Sequence, residues 1–173
     1  MGDISIRRES PYPPGINDGF TSGCAHLAIV THIANRRSSQ KFEFSLVLWE
    51  LSVSLVDDNE MREINNRFRN INESTDVLSF PQYEPAEIDE LLNSHVISES
   101  MVLGDIVISL EWVKRESKND FDILRRSYAW MMLHGILHLF GLDHETPEEE
   151  TKMREEENRI LLEMDSYISG VRK

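Results

Sequence analysis

Three of the six histidines in this 173-residue chain fall between positions 134 and 144, in the segment Leu133-His134-Gly135-Ile136-Leu137-His138-Leu139-Phe140-Gly141-Leu142-Asp143-His144. On a helix, residues four apart share one face. His134 and His138 can therefore aim their imidazoles at a common point about 2 Å from each nitrogen, the distance zinc requires. Gly141 can break that helix and return the chain, which lets His144 approach the same point from a loop. Three neutral imidazoles leave one coordination position open. Water bound there has its pKa lowered to about 7, so the spacing predicts hydrolysis. Imidazole ligation suits zinc and also nickel, whereas magnesium and calcium prefer oxygen; zinc is the expected metal and nickel the alternative. Asp143 can orient an imidazole from outside the ligand set but is not expected to be a ligand. Two histidines alone would read as ordinary side chains of a packed helix; the third, placed after a glycine, makes the metal the better reading.

For these side chains to converge, a helix must run from just after Asn119-Asp120 to about Phe140, with Gly141 as its left-handed stop. Thr146-Pro147-Glu148-Glu149 then combines a capping residue, proline at the first helical position and glutamate at the third, which is a capping box. Met153, Ile160, Leu161, Met164 and Ile168 continue as the buried stripe of a final helix. The glutamates at 148–150 and 155–157 read as its exposed, solubilising face beside Lys152 and Arg154.

Upstream, Leu103 to Ser109 is the clearest strand, with a helix over Leu110 to Ser117. Ile4 to Ile6 suggests a short edge strand, and Leu27, Val30 and Ala34 mark a helix over Ser22 to Asn35. From Phe42 to Val56 the chain is β-rich, with Leu51, Val53 and Leu55 alternating with serines. Asp58 is the expected N-cap of a short helix whose apolar side is Met61, Ile64 and Phe68. Thr75 to Phe80 reads as a strand stopped by Pro81, and the acidic interval from Gln82 to Ser100 as a long loop or one helical turn. The mixed order predicts an α+β fold: one domain over residues 1–173, a small mixed sheet of about four strands covered by helices, and a metal site at the end of a long helix.

Bulk properties narrow the function. A hydrophobic fraction of 40% and a charged fraction of 28% are those of a folded globular chain. No stretch approaches the roughly 20 apolar residues of a membrane span, and Met1-Gly2-Asp3-Ile4 lacks the blocks of a secretory signal, so a cytoplasmic protein is expected. Cys24, the single cysteine, can form no internal disulfide and reads as a small buried side chain. A net charge of −13 argues against broad attraction to nucleic acid; an RNA substrate would have to be held locally. Arg36, Arg37, Lys41, Arg67, Arg69, Arg125 and Arg126 are the candidate lining of such a groove.

The spacing HxxxHxxGxxH also underlies the metzincin peptidases, where a glutamate general base follows the first histidine. Here that position is Gly135, which can neither take nor give a proton, so a metzincin-like metallopeptidase is the weaker reading. Instead, His134-Gly135, Leu137-His138-Leu139, Gly141 and Asp143-His144 resemble the HGxLHLxGyDH signature of the YbeY family, with Leu142 at its usual tyrosine. The resemblance extends to Glu50-Leu51-Ser52-Val53, Leu55-Val56-Asp57-Asp58, Glu60-Met61, Thr75 to Pro81 and Leu103 to Ser109. It implies a metal-dependent endoribonuclease of single-stranded RNA, acting in ribosomal RNA maturation and ribosome quality control. The implied partners are RNA and ribosomes, with no DNA and no membrane. The family's NxxYRG-like segment aligns with Asn66-Arg67-Phe68-Arg69-Asn70, making Arg69 the matching active-site arginine and His134 its catalytic companion. Asn70 stands where that segment has glycine, and Ser74 where a proline precedes the threonine. A guanidinium aimed at the scissile phosphate would neutralise developing charge. A third reading, a ribosome-associated factor with a purely structural metal, would require a fourth protein ligand.

Overall fold

The computed structural model describes residues 3–8, 11–36, 49–93 and 101–170. The alternation at Leu51, Val53 and Leu55 forms the strand it predicts. In β2 (Trp49–Val56) those three side chains are buried while Ser52 and Ser54 stay half-buried on the other face. Two parallel neighbours flank it, β1 (Asp3–Arg8) and β4 (Met101–Ser109). The short β3 (Val77–Pro81) runs antiparallel to β4, giving a mixed four-stranded sheet in the order β1-β2-β4-β3. Val53 pairs with Ile106, and Phe80 with Asp105. The register shifts between Glu50 and Leu51 as β4 passes Gly104, whose φ of 135° and tight approach to Phe80 O (2.2 Å from an added Cβ) admit no side chain.

Among the described residues, six helices pack around this sheet: α1 (Asp18–Arg36), α2 (Asp58–Arg69), α3 (Pro85–Asn93), α4 (Leu110–Ser117), α5 (Phe121–Leu139) and α6 (Pro147–Ile168). The α+β expectation and the strand count hold. No described helix is long and apolar enough to cross a membrane. Burial along α5 is nearly all round, from Leu124 through Tyr128, Met132 and Ile136 to Leu139, as suits a helix packed between the sheet and both α1 and α6. Ile106 and Ile108 join this main core, while Val107, pointing the other way, joins Val56, Met61 and Leu78 in a smaller cluster under α2. Helices α5 and α2 therefore lie on opposite faces of the sheet. Cys24 is fully buried, and burial pushes its thiol up to about 12.

Several boundaries differ from expectation for identifiable reasons. Asp57, not Asp58, caps α2: its extended backbone lets the carboxylate accept from Glu60 N. Asp58 already lies in the helix and turns its carboxylate to Ser109 Oγ (2.6 Å) and Arg115, tying α2 to the start of α4. The acidic interval contains more than a turn. Residues 85–93 form α3, begun by Pro85, stabilised by a Glu84 N–H bond to the Glu87 carboxylate (2.9 Å), and anchored by fully buried Ile88. Helix α1 begins four residues before Ser22, because Asn17 accepts from Phe20 N (2.9 Å) and starts the helix. The expected strand from Phe42 is seen from Trp49 onward; residues 42–48, like 94–100, lie outside the described residues.

Candidate metal centre

Asp120 opens α5 by accepting from Asp122 N and Ile123 N. At the other end Gly141 adopts φ 80°, Gly141 N bonds His138 O (2.9 Å) and Leu142 N bonds Leu137 O (3.0 Å). This pairing is a Schellman motif, and it reverses the chain immediately after His138. Thr146 then starts α6 with the full capping box, leaving Glu145 alone between His144 and the cap. The turn between the two helices is thus fastened at both ends, and His144 is carried on it.

The three histidines meet. His134 Nε2 and His138 Nε2 are 3.1 Å apart, and the His144 ring lies 5.5 Å and 5.2 Å from the other two ring centres. One ligating nitrogen from each falls within 4.8 Å of the others. Tetrahedral zinc needs its nitrogens about 3.4 Å apart, so the exposed His144 ring closes the set by a small rotation. Two imidazole nitrogens facing at 3.1 Å also require a proton or a cation between them, which fits an ion at this point. Burial, followed by the neighbouring His134 charge, lowers His138 to about 4 against the opposing pull of Asp143. His138 is therefore neutral at physiological pH, as ligation requires.

Around the rings, two carboxylates differ from expectation. Asp143 sits 3.9 Å from His138 Nδ1 and uses the same oxygen to accept from His144 N at 2.8 Å, so it shapes the turn before it orients a ring. Glu157, expected on a solvated face, is instead only 7% exposed, and its Oε1 lies 2.7 Å from His134 Nδ1. Its neighbour Glu156 meets buried His32 in the same way, Oε1 to Nδ1 at 2.7 Å. Glu157 falls on the inward side of α6, in step with Met153, Ile160 and Met164, with half-buried Glu156 at the edge of that side. The helical phase of that stripe was the available signal, and the run of glutamates masked it.

A cleft of about 730 Å³ opens beside the histidines, lined among others by Arg69, Ser79, Gln82, Tyr83, His138 and His144. Arg69 ends α2, where Asn70 takes the left-handed conformation (φ 58°) and its N–H bonds Asn65 O and Asn66 O. Asparagine tolerates that conformation, so the turn expected of a glycine is retained. The other basic candidates divide. Arg125 donates to Ile168 O (2.6 Å), Gly15 O (2.7 Å) and Tyr167 O (3.2 Å) and lies over the Phe20 ring, so it is a clamp on the end of α6 and not groove lining. Arg126 pairs with Asp165 at 2.6 Å, and Arg67 lies over Phe68. Arg37, Lys41 and His95 lie outside the described residues, as does the side chain of Arg36.

A Cβ on Gly135 would meet Ile106 Cγ2 and Ser79 Oγ at 3.1 Å, contacts tight enough that a larger side chain must displace its neighbours.

The described match to the family Endoribonuclease YbeY runs over residues 25–165. An Endoribonuclease YbeY from Clostridium botulinum strain Eklund 17B is 40% identical over 159 residues, 87% of this chain and 91% of that protein. Another, from Caldanaerobacter subterraneus subsp. tengcongensis, is 44% identical over 113 residues, 65% of this chain and 72% of that one. The solution structure of TM1509 from Thermotoga maritima is 24% identical, covers 98% of this chain and 97% of that one, and has a TM-score of 0.49. Since the family match spans the histidine helix, strands β2, β3 and β4 beneath it and Arg69, this chain belongs to the YbeY endoribonuclease family.

Proposed function

We propose that this chain is a metal-dependent endonuclease of single-stranded RNA that acts in ribosomal RNA maturation and ribosome quality control, with zinc as its ion. The observation that carries the reading is the meeting of three imidazoles at the edge of a cleft that two of them, His138 and His144, line together with Arg69. The family membership supports the reaction class, and a cleft open to solvent admits a flexible strand more readily than a stacked duplex. We take residues 1–173 to work as one hydrolase domain in the cytoplasm, with ribosomes as partners.

When bound, zinc supplies a Lewis acid and a water acidic enough to be deprotonated near neutral pH. His134, His138 and His144 would hold it through neutral nitrogens, a set of three and not the four of a structural site. Arg69 receives the scissile phosphate, its guanidinium able to grip two oxygens and to offset the charge that grows as the P–O bond breaks. The same absence of an acid–base side chain at Gly135 removes support for a peptidase.

The test is cutting of an unstructured RNA oligomer by purified protein, with and without a chelator. Chelator-sensitive products from the natural chain, lost in His134→Ala and in Arg69→Ala while both stay folded, are expected. Undiminished cutting by either variant would overturn the role given to that residue.

A further inference from the structure

A glutamate buried to 7% exposure is costly unless its charge is satisfied, since a desolvated carboxylate loses several kcal/mol of hydration. Among the described residues, Glu157 meets that demand with one hydrogen bond, from His134 Nδ1 at 2.7 Å. On the other side of the same imidazole, the Trp130 ring lies 5.0 Å away at a tilt of 32°. The His134 ring is therefore held on one face by an indole and at one edge by a carboxylate. Its remaining nitrogen, Nε2, points at His138 Nε2.

We propose that Glu157 is a positioning residue that presets His134 for the ion. A carboxylate can only accept, so the proton of the neutral imidazole is kept on Nδ1 and the Nε2 lone pair is left free, before any ion arrives. The buried negative charge also makes that lone pair a stronger donor and offsets part of the charge that an ion with three neutral ligands brings into the site. Helix α6 supplies this carboxylate at the position where the acidic run turns inward, so the last helix is part of the metal centre although it provides no ligand. The inference rests on His134 being a ligand, as proposed above.

Zinc alone, titrated into metal-free protein in competition with a chromophoric chelator, separates the two claims. His134→Ala tests the ligand; Glu157→Ala and the isosteric Glu157→Gln test the carboxylate, with circular dichroism confirming the fold. Glu157→Ala is expected to weaken zinc binding about 10- to 100-fold, and Glu157→Gln, which keeps an acceptor but not the charge, to fall between it and the natural chain. A long-range 1H–15N spectrum of the natural metal-free chain, which depends on no variant, is expected to place the His134 proton on Nδ1. Loss of affinity in His134→Ala with natural affinity in both Glu157 variants would overturn the positioning role alone. Natural affinity in His134→Ala would overturn the ligand assignment and this inference with it. A proton found on His134 Nε2 would overturn the preset ring whatever the affinities.

Discussion

Gly135 stands against Ile106 with little room for a side chain: an added Cβ would lie 3.1 Å from Ile106 Cγ2 and 3.2 Å from Cδ1, on a strand residue that is itself fully buried. The helix therefore approaches the sheet closely at the turn that carries the first histidine. Gly135→Glu would force both a bulky group and a carboxylate into this contact. Overpacking and an unpaired buried charge together are expected to cost more than about 3 kcal/mol, read by urea unfolding. No peptidase activity is expected from the variant; casein cleavage by a folded Gly135→Glu protein would show that the pocket, and not the missing glutamate, had been misjudged.

Arg69 is exposed and ends its helix, so its loss should spare the fold while damaging the reaction. Arg69→Ala is expected to unfold within about 0.5 kcal/mol of the natural chain and to lower kcat about 10²- to 10³-fold on an RNA oligomer. Arg69→Lys keeps a charge but not the planar fork and is expected to recover part of that loss. A large stability change in Arg69→Ala would mean the side chain holds the fold and not the phosphate.

Glu156 makes stability depend on acid. Burial alone would raise its carboxyl from 4.5, but hydrogen bonds from His32 and Arg159 and their charges bring it down to about 2. A carboxyl more acidic folded than unfolded contributes stability that is complete above the unfolded value and fades as pH falls from about 4.5 towards 2. With the carboxylate partly open to solvent, which screens its partners, the amount is about 1–2 kcal/mol. Unfolding curves across that window should show the loss in the natural chain and a flatter profile in Glu156→Gln, which is already destabilised at neutral pH. Identical profiles for the two would remove the linkage.

Arg125 offers the opposite test from Arg69. Its three carbonyl partners close the loop at Gly15 and the end of α6 onto α5. Arg125→Ala is expected to cost about 3 kcal/mol in stability, with Lys a poor substitute, and to leave RNA affinity unchanged at temperatures where the protein is folded. Weakened RNA binding in a folded Arg125→Lys chain would restore this arginine to the groove.

The chain announces its metal centre more clearly than the support behind it. The histidine spacing, Gly141 and the Thr146 capping box are local features whose chemistry acts within a few residues, and each takes the form its neighbours dictate. Glu156 and Glu157 look like two more acids in a solvated run, because their burial is decided by His32 and His134, which other helices bring in. Arg125 and Arg126 are adjacent and chemically alike; only tertiary packing sends one onto backbone carbonyls and leaves the other at the surface. Helix α3 is hidden by its acidic composition, although Ile88, Leu91 and Leu92 stand at helical spacing and Ile88 is fully buried.

The turn between α5 and α6 has a wider consequence. The three proposed ligands and Glu157 lie on one helical hairpin, between His134 and Glu157, while Arg69, proposed to grip the phosphate, arrives from across the sheet. Ring closures within such a hairpin are short, so its pocket can assemble early and at small entropic expense. Injury elsewhere should then divide two capacities normally seen together: an altered strand leaves the protein still loaded, yet unable to secure the polymer it is meant to sever.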